Sequence, residues 1–230
     1  MNRNLTNSIR FVLDEFLPPV IRDSRFFMYP LFFIWYKGKN VSKLMRFKER
    51  AGKMTDREYA GYYEMYDAIA NRETDLNRES IQFILDQSAE NRHDRIIDVG
   101  CGKGFLLKLL KENGYTDISG CDIIREMKDD SIPFTEGKIE QLPFPDKSFD
   151  VVICNHTIEH ITDSRKAIAE LKRIARKKII ITTPRQKYYR YTFDLHVNFF
   201  PQQSDLLHLI SMPGTCVNSN GDWSFAGNVQ

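Results

Sequence analysis

The stretch from Arg95 to Leu110, RIIDVGCGKGFLLKLL, restricts this chain more than any other. A short apolar strand (Ile96, Ile97, Val99) runs into glycines at alternate positions, Gly100, Gly102 and Gly104, and an apolar helix (Phe105, Leu106, Leu107, Leu109, Leu110) follows at once. Glycine permits a tight turn and lets backbone approach a ligand closely. The helix beyond it begins with unpaired N–H groups and a positive dipole end. Such a strand–turn–helix unit is expected to hold a small polar ligand at the turn.

The rest of the chain divides around this unit. From Arg95 onward, apolar runs of strand length alternate with helical patterns, which implies a parallel sheet with crossover helices. Strands are expected at Arg95–Val99, Asp117–Ile123, Pro133–Glu136, Val151–Cys154 and Lys178–Thr182. Helices are expected at Lys103–Asn113, Ser164–Ala175 and Pro201–Ser211, and a hairpin is expected around Asn220-Gly221. The first 90 residues read as helical throughout. Leu5, Ile9, Val12, Leu13 and Phe16 have helical spacing, Val41–Ala51 reads as a basic helix, and Thr55-x-x-Glu58 is a capping box opening a helix to Ala70. A further helix is expected at Arg78–Gln87. The domain reading is therefore a helical extension over 1–90 and a ligand-binding domain over 91–230.

Composition narrows the setting. A net charge of +2, with 42% hydrophobic and 28% charged residues, is ordinary for a globular protein and lacks the basic footprint of most nucleic-acid binders. The four cysteines lie far apart and form no C-x-x-C pair, so they read as small hydrophobes in a reducing, cytoplasmic setting. Phe26–Tyr36, FFMYPLFFIWY, is the most apolar run, and seven of its eleven residues are aromatic. It is shorter than the roughly 20 residues that span a bilayer, and Pro30 interrupts it. Flanked by Arg22, Arg25, Lys37 and Lys39, it fits either a segment folded over the domain or a peripheral contact with the inner face of a membrane.

Two acids select the ligand. Asp122, ending the second strand, stands where an acid of a doubly wound sheet bonds ribose hydroxyls. Asp98 stands just before the glycines, where it would repel a pyrophosphate but attract an ammonium group. A nucleoside with an amino-acid tail satisfies both. On four motifs in order, IDVGCGKG (Ile97–Gly104), GCDI (Gly120–Ile123), EGKIEQLPFPDKSFDVVICNHTIEHI (Glu136–Ile161) and IIITTPR (Ile179–Arg185), the chain resembles the class I S-adenosylmethionine-dependent methyltransferases over Arg95 to Phe200. The resemblance implies an α/β fold: a doubly wound, mostly parallel seven-stranded, Rossmann-like sheet carrying the helical N-terminal extension. It implies S-adenosylmethionine as methyl donor and S-adenosylhomocysteine as product. Asp98, Gly100, Cys101, Gly102 and Gly104 would then surround the methionine moiety, Asp122 would bind ribose, and Ile123 and Ile139 would flank adenine. Lys138-Ile139 falls where many relatives carry an acid for the adenine amino group, so backbone or Glu140 would take that role. Asn155 and His156 would line the cleft.

The acceptor side rests on three of the five histidines, His156, His160 and His196. His156 and His160, four apart at the expected start of a helix, would share a face, and either could act as general base toward a hydroxyl. With Glu159 and His196 they are similar to the metal site of small-RNA 2′-O-methyltransferases, except that His156 replaces a glutamate. The set His156, Glu159, His160, His196 would suit zinc or another transition metal better than magnesium. A metal-free helix opening is the favoured reading. Between Lys172 and Arg190 eight cations occur without an acid, interleaved with Tyr188 and Tyr189. These features point to O-methylation of a small-molecule, glycan or lipid-linked acceptor. RNA 2′-O-methylation and a non-catalytic cofactor-binding subunit stand as alternatives.

Overall fold

The computed structural model describes residues 16–70 and 73–229. The helix expected over Asn4–Phe16 lies, up to its last residue, outside them. The chain forms two packed units. One takes in described residues 16–70 together with Lys187–Val197, and the other takes in Glu73–Gln186 and Asn198 onward. The helix at 78–88, read from sequence as part of the extension, therefore belongs to the sheet unit, and a short loop after the fifth strand belongs to the helical one.

In the first unit the helices are α1 (Pro19–Arg22), α2 (Arg25–Trp35), α3 (Val41–Met45), α4 (Phe47–Ala51) and α5 (Asp56–Ala70). The single helix expected over Val41–Ala51 breaks at Arg46. Val41, Leu44 and Met45 face inward, and an unbroken helix would next present Lys48; the break brings Phe47 to the core instead, with Ala51 one turn further on. The capping box of α5 forms as expected, with Thr55 N–H donating to Glu58 Oε2 at 2.9 Å. Met28, Phe32 and Tyr36 pack with Tyr191 and Leu195 in one apolar cluster. Tyr36 Oη donates to the Phe193 carbonyl at 2.6 Å, and Phe32 stacks on the Phe193 ring. Helix α2 runs straight through Pro30, which lacks the N–H that would otherwise bond the Phe26 carbonyl.

The second unit is built on a seven-stranded sheet of order β3-β2-β1-β4-β5-β7-β6. Its strands are β1 (Arg95–Val99), β2 (Asp117–Asp122), β3 (Phe134–Glu136), β4 (Phe149–Asn155), β5 (Ala175–Pro184), β6 (Thr215–Ser219) and β7 (Asp222–Asn228). Pairings among β1 to β5 are parallel, and β7 joins β5 and β6 antiparallel. Helices α6 (Arg78–Ser88), α7 (Phe105–Glu112), α8 (Ser164–Ile174) and α9 (Gln203–Ile210) cover it. Alternate residues of each strand serve opposite cores. Ile97, Val152, Cys154 and Ile181 meet Ile168 and Leu171, whereas Ile96, Val151, Ile153 and Ile180 meet Leu107, Leu110 and Ile84. Covered on both faces, β4 is buried along its whole length, which is why its sequence reads as a nearly continuous apolar run. Strand order reverses between β1 and β4, and the loops after these two strands part at that point, opening the crevice where such sheets bind ligands.

A buried polar node ties α6, the β6–β7 hairpin and the end of β4 together. Asn77 caps α6 by accepting from Ser80 N–H at 2.8 Å, while its Nδ2 donates to the Ser219 carbonyl (2.7 Å) and Asp222 Oδ2 (2.9 Å). Ser80 Oγ donates to the same carboxylate oxygen at 3.0 Å. His156, just past β4, completes the node: Nε2 lies 3.3 Å from Asp222 Oδ2 and Nδ1 3.3 Å from Glu159 Oε1. Burial alone would lower the imidazole, but the charges of Asp222 and Glu159 outweigh it and raise His156 to about 10. The histidine is thus held as a cation between two buried carboxylates.

Two consequences can be measured. Asn77→Ala removes a helix cap and leaves Asp222 short of a donor, and we expect a loss of about 2 kcal/mol in urea denaturation. For His156 the folded value lies above the unfolded one of 6.5. Its stabilisation is therefore complete below about pH 6.5 and is lost as pH rises toward 10. The stability difference between wild type and His156→Gln should accordingly shrink from pH 6.5 to pH 10. A difference that grows over that range would contradict the charged node.

Candidate functional site

The glycine turn lies at the C-terminal end of β1 and passes beneath the end of β2. Gly100 and Cys101 donate their N–H groups to the Cys121 carbonyl at 2.8 and 3.3 Å. Gly102 N–H donates to Asp122 Oδ2 at 2.8 Å, and Ile123 N–H to Asp122 Oδ1 at 2.7 Å. Asp122 therefore holds the turn as well as standing at the expected ribose position. A carboxylate offers about four acceptor sites, so these bonds orient it without exhausting it.

The three glycines have different physical reasons. A Cβ on Gly100 would lie 2.1 Å from Thr157 Oγ1, and one on Gly104 would lie 2.7 Å from the Met127 side chain. Both also have φ near +78°, at +79° and +77°, where side chains are strained. These two allow the turn to close against its neighbours. Gly102 also has a left-handed φ, +49°, but a Cβ there would meet nothing within 4 Å, so this backbone faces open space that a ligand can enter.

Around that space the structure places polar atoms without partners. Asp98 Oδ1 and both side-chain polar atoms of Asn155 are buried and make no hydrogen bond of ordinary geometry. Burial, and then the charge of Asp122, pushes the Asp98 carboxyl up to about 7, with the Asn155 side chain opposing the shift. Buried polar atoms are nearly always bonded, and orphans at the mouth of a crevice are what an incoming polar ligand satisfies. A ligand with a cationic group would also return Asp98 to its ionised form. Ile123, apolar and 38% exposed at the end of β2, offers a surface on which an aromatic ring can rest. Ile139 is buried, and Glu140, nearly buried, leaves Oε2 without a partner. These residues fit S-adenosylmethionine: carboxyl and amide groups for the amino-acid tail, an open backbone at Gly102, an acid at the ribose position and apolar surface for the base.

Cys101, Cys121 and Cys154 are buried free thiols, and burial raises all three above the ordinary thiol range. They behave as small apolar side chains, Cys101 lying under Gly120, where a Cβ would come within 2.8 Å of its sulfur.

The histidines do not share a helix face. His156 has a left-handed backbone (φ 47°), and Ile158–His160 is a single 3₁₀ turn, so the i, i+4 geometry expected from sequence does not form. The turn is fixed instead by Asn198, whose Nδ2 donates to the carbonyls of Ile158 (2.9 Å) and Ile161 (2.6 Å). With a carboxylate against each ring nitrogen, His156 has no lone pair to offer a proton or a metal. Glu159 is fully buried and accepts from Thr183 Oγ1 at 3.2 Å. His160 lies in the sheet unit and His196 in the helical unit, where the latter's N–H donates to Thr192 Oγ1.

The basic stretch is similarly divided. Arg173 pairs with Glu170 and Asp146, Arg176 with Asp150, and Lys177 with Asp94 and Asp150, all in the sheet unit. Arg185 is exposed and lies over the Trp223 ring. In the helical unit Tyr189 and Tyr191 are core residues, with Arg22 over the Tyr189 ring at 4.5 Å. Sequence reasoning missed Asp222 and Asn77. Only the hairpin and cap signals mark them locally, and nothing in the spacing brings them to His156.

Comparison with known proteins agrees with the geometry. Residues 97–181 match the model of a methyltransferase domain. An uncharacterized methyltransferase of Bacillus subtilis, YcgJ, is 31% identical over 107 residues, covering 41% of this chain and 42% of that protein. A malonyl-[acyl-carrier protein] O-methyltransferase of Serratia marcescens is 26% identical over 117 residues, covering 48% and 44%. The chain thus spans less than half the length of these relatives. Among solved structures, the PH0226 protein of Pyrococcus horikoshii shares the fold, with a TM-score of 0.54 at 18% identity over 72% of this chain and 98% of that one. The strand order, the glycine turn with its two acids and the matched residues agree, and over residues 97–181 the chain carries a methyltransferase domain.

Proposed function

We propose that this protein transfers a methyl group from S-adenosylmethionine to a hydroxyl of a small-molecule, glycan or lipid-linked acceptor. The observation that carries the cofactor reading is the buried Asp98 carboxyl, with an unpartnered oxygen beside the unpartnered Asn155 amide, directly ahead of the open Gly102 backbone. When bound, the cofactor supplies an electrophilic methyl group on a sulfonium. The protein's own part is positioning. Asp98 and Asn155 hold the amino-acid tail, Gly102 admits it, Asp122 fixes the ribose, and Ile123 and Ile139 flank the base. In a displacement of this kind, alignment supplies much of the rate. His160 is the sheet unit's candidate for accepting the hydroxyl proton, since His156 is held charged. The presence of an O-methyltransferase among the relatives supports oxygen as the acceptor atom. The dispersal of the basic stretch into internal ion pairs speaks against an RNA acceptor.

Calorimetry with S-adenosylmethionine tests the cofactor reading. Because Asp98 must ionise to meet an ammonium group, affinity should rise about tenfold per pH unit from 5.5 to 7 and then level off. Asp98→Asn should weaken binding at least tenfold and flatten that profile. Gly102→Ala meets no protein atom but places a side chain at φ +49°, so it should weaken binding and also cost some stability, read separately by urea denaturation. Tight, pH-independent binding by Asp98→Asn would refute the assignment. Incubating cell extract with labelled cofactor, and sorting the label into lipid, glycan, protein and RNA fractions, then tests the acceptor. Label in the RNA fraction would favour the rival acceptor, and no transfer at all would favour a non-catalytic subunit.

A further inference from the structure

Helix α2 presents two apolar faces. One holds Met28, Phe32 and Tyr36 in the core of the helical unit. The other, at the i, i+3, i+4, i+7, i+8 spacing of a second stripe, holds Phe26, Tyr29, Pro30, Phe33 and Ile34, and every one of these is exposed. Phe26 is 92% and Ile34 75% accessible, and Val20, on the preceding helix α1, is 81% accessible. Isolated apolar side chains on a surface need no explanation, but a concentration of them does. Of the ten large apolar side chains exposed among the described residues, seven lie between Phe16 and Ile34.

The charges around this face select its occupant. Between Asp23 and Glu49 the sequence contains no acid, and exposed Arg25 stands at one end of the helix with Lys37 and Lys39 just past the other. An aromatic stripe ended by cations matches the chemistry of a bilayer interface: rings and aliphatic groups enter the acyl boundary while ammonium and guanidinium groups meet lipid phosphates. Eleven helical residues are only about 16 Å long, about half the thickness of a hydrocarbon core, so the helix lies in the interface and does not cross it. Consistent with this, no helix among the described residues is long and apolar enough to span a membrane.

We propose that the exposed face of α2 docks this protein on an anionic lipid bilayer, with Phe26, Phe33 and Ile34 inserted and Arg25, Lys37 and Lys39 on the headgroups. The inference goes beyond the methyltransferase reading and stands on separate residues. It is tested with the full chain by co-sedimentation with vesicles of phosphatidylcholine alone or mixed with phosphatidylglycerol, at low and high salt. The mixed vesicles should bind the protein and the neutral ones much less. Phe26→Ser/Ile34→Ser should weaken binding more than tenfold, and Lys37→Glu/Lys39→Glu several-fold with loss of the salt dependence. All four side chains are exposed, so circular dichroism should show unchanged folding. No binding to either vesicle, or undiminished binding by the Phe26→Ser/Ile34→Ser variant, would overturn the proposal. So would sedimentation velocity showing a wild-type dimer that the same variant dissolves, because the face would then belong to a second copy. None of these readouts involves S-adenosylmethionine, so failure here leaves the cofactor assignment standing, and the reverse.

Discussion

The sheet unit depends on one buried carboxylate. Asp222 accepts from the Asn77 amide, the Ser80 hydroxyl and the His156 ring, and so joins the cap of α6, the start of β7 and the end of β4. A buried anion is costly unless it is fully bonded, and breaking one of its partners leaves the remainder uncompensated. That is why these elements are held as a set. The node also places Glu159 and the 3₁₀ turn after β4, the segment that faces the crevice from the side opposite the glycine turn.

The two sides of that crevice are built on contrasting electrostatic terms. At the node, a histidine is kept charged by two acids. At the glycine turn, burial and then the nearby charge of Asp122 push the Asp98 carboxyl up to about 7. In the first, the histidine has a carboxylate of the protein within 3.3 Å of each ring nitrogen, and the arrangement reads as structure. The second is incomplete, with unpartnered atoms on Asp98 and Asn155, and reads as a place for a ligand. A histidine close to a binding crevice is easily taken for a base, and here the identity of its neighbours decides otherwise.

Much of this was legible along the chain. The strand–glycine–helix unit, the two acids, the alternation of strands and helices and the Asn220-Gly221 hairpin are local signals, carried by residues within a few positions of one another, and each of these elements formed as expected. The break at Arg46 was not legible. Local propensity favours a continuous helix there, and only the core decides that Phe47, not Lys48, must turn inward. The reading of Pro30 as an interruption also failed, because packing of Met28, Phe32 and Tyr36 carries α2 past the missing hydrogen bond.

The sequence by itself determined the fold class and the glycine turn, because periodicity, glycine stereochemistry and the spacing of two acids act over short distances. Tertiary structure alone decided what His156 does, since Asp222 lies 66 positions away and reaches it only through the pairing of β7 with β5. It likewise decided that the aromatic helix has one face in the core and one in solvent, because an apolar run records hydrophobicity on every side without saying which side has a partner. At the glycine turn the two levels meet: three glycines look alike in sequence, and only their neighbours in space show that Gly100 and Gly104 close the turn while Gly102 leaves it open.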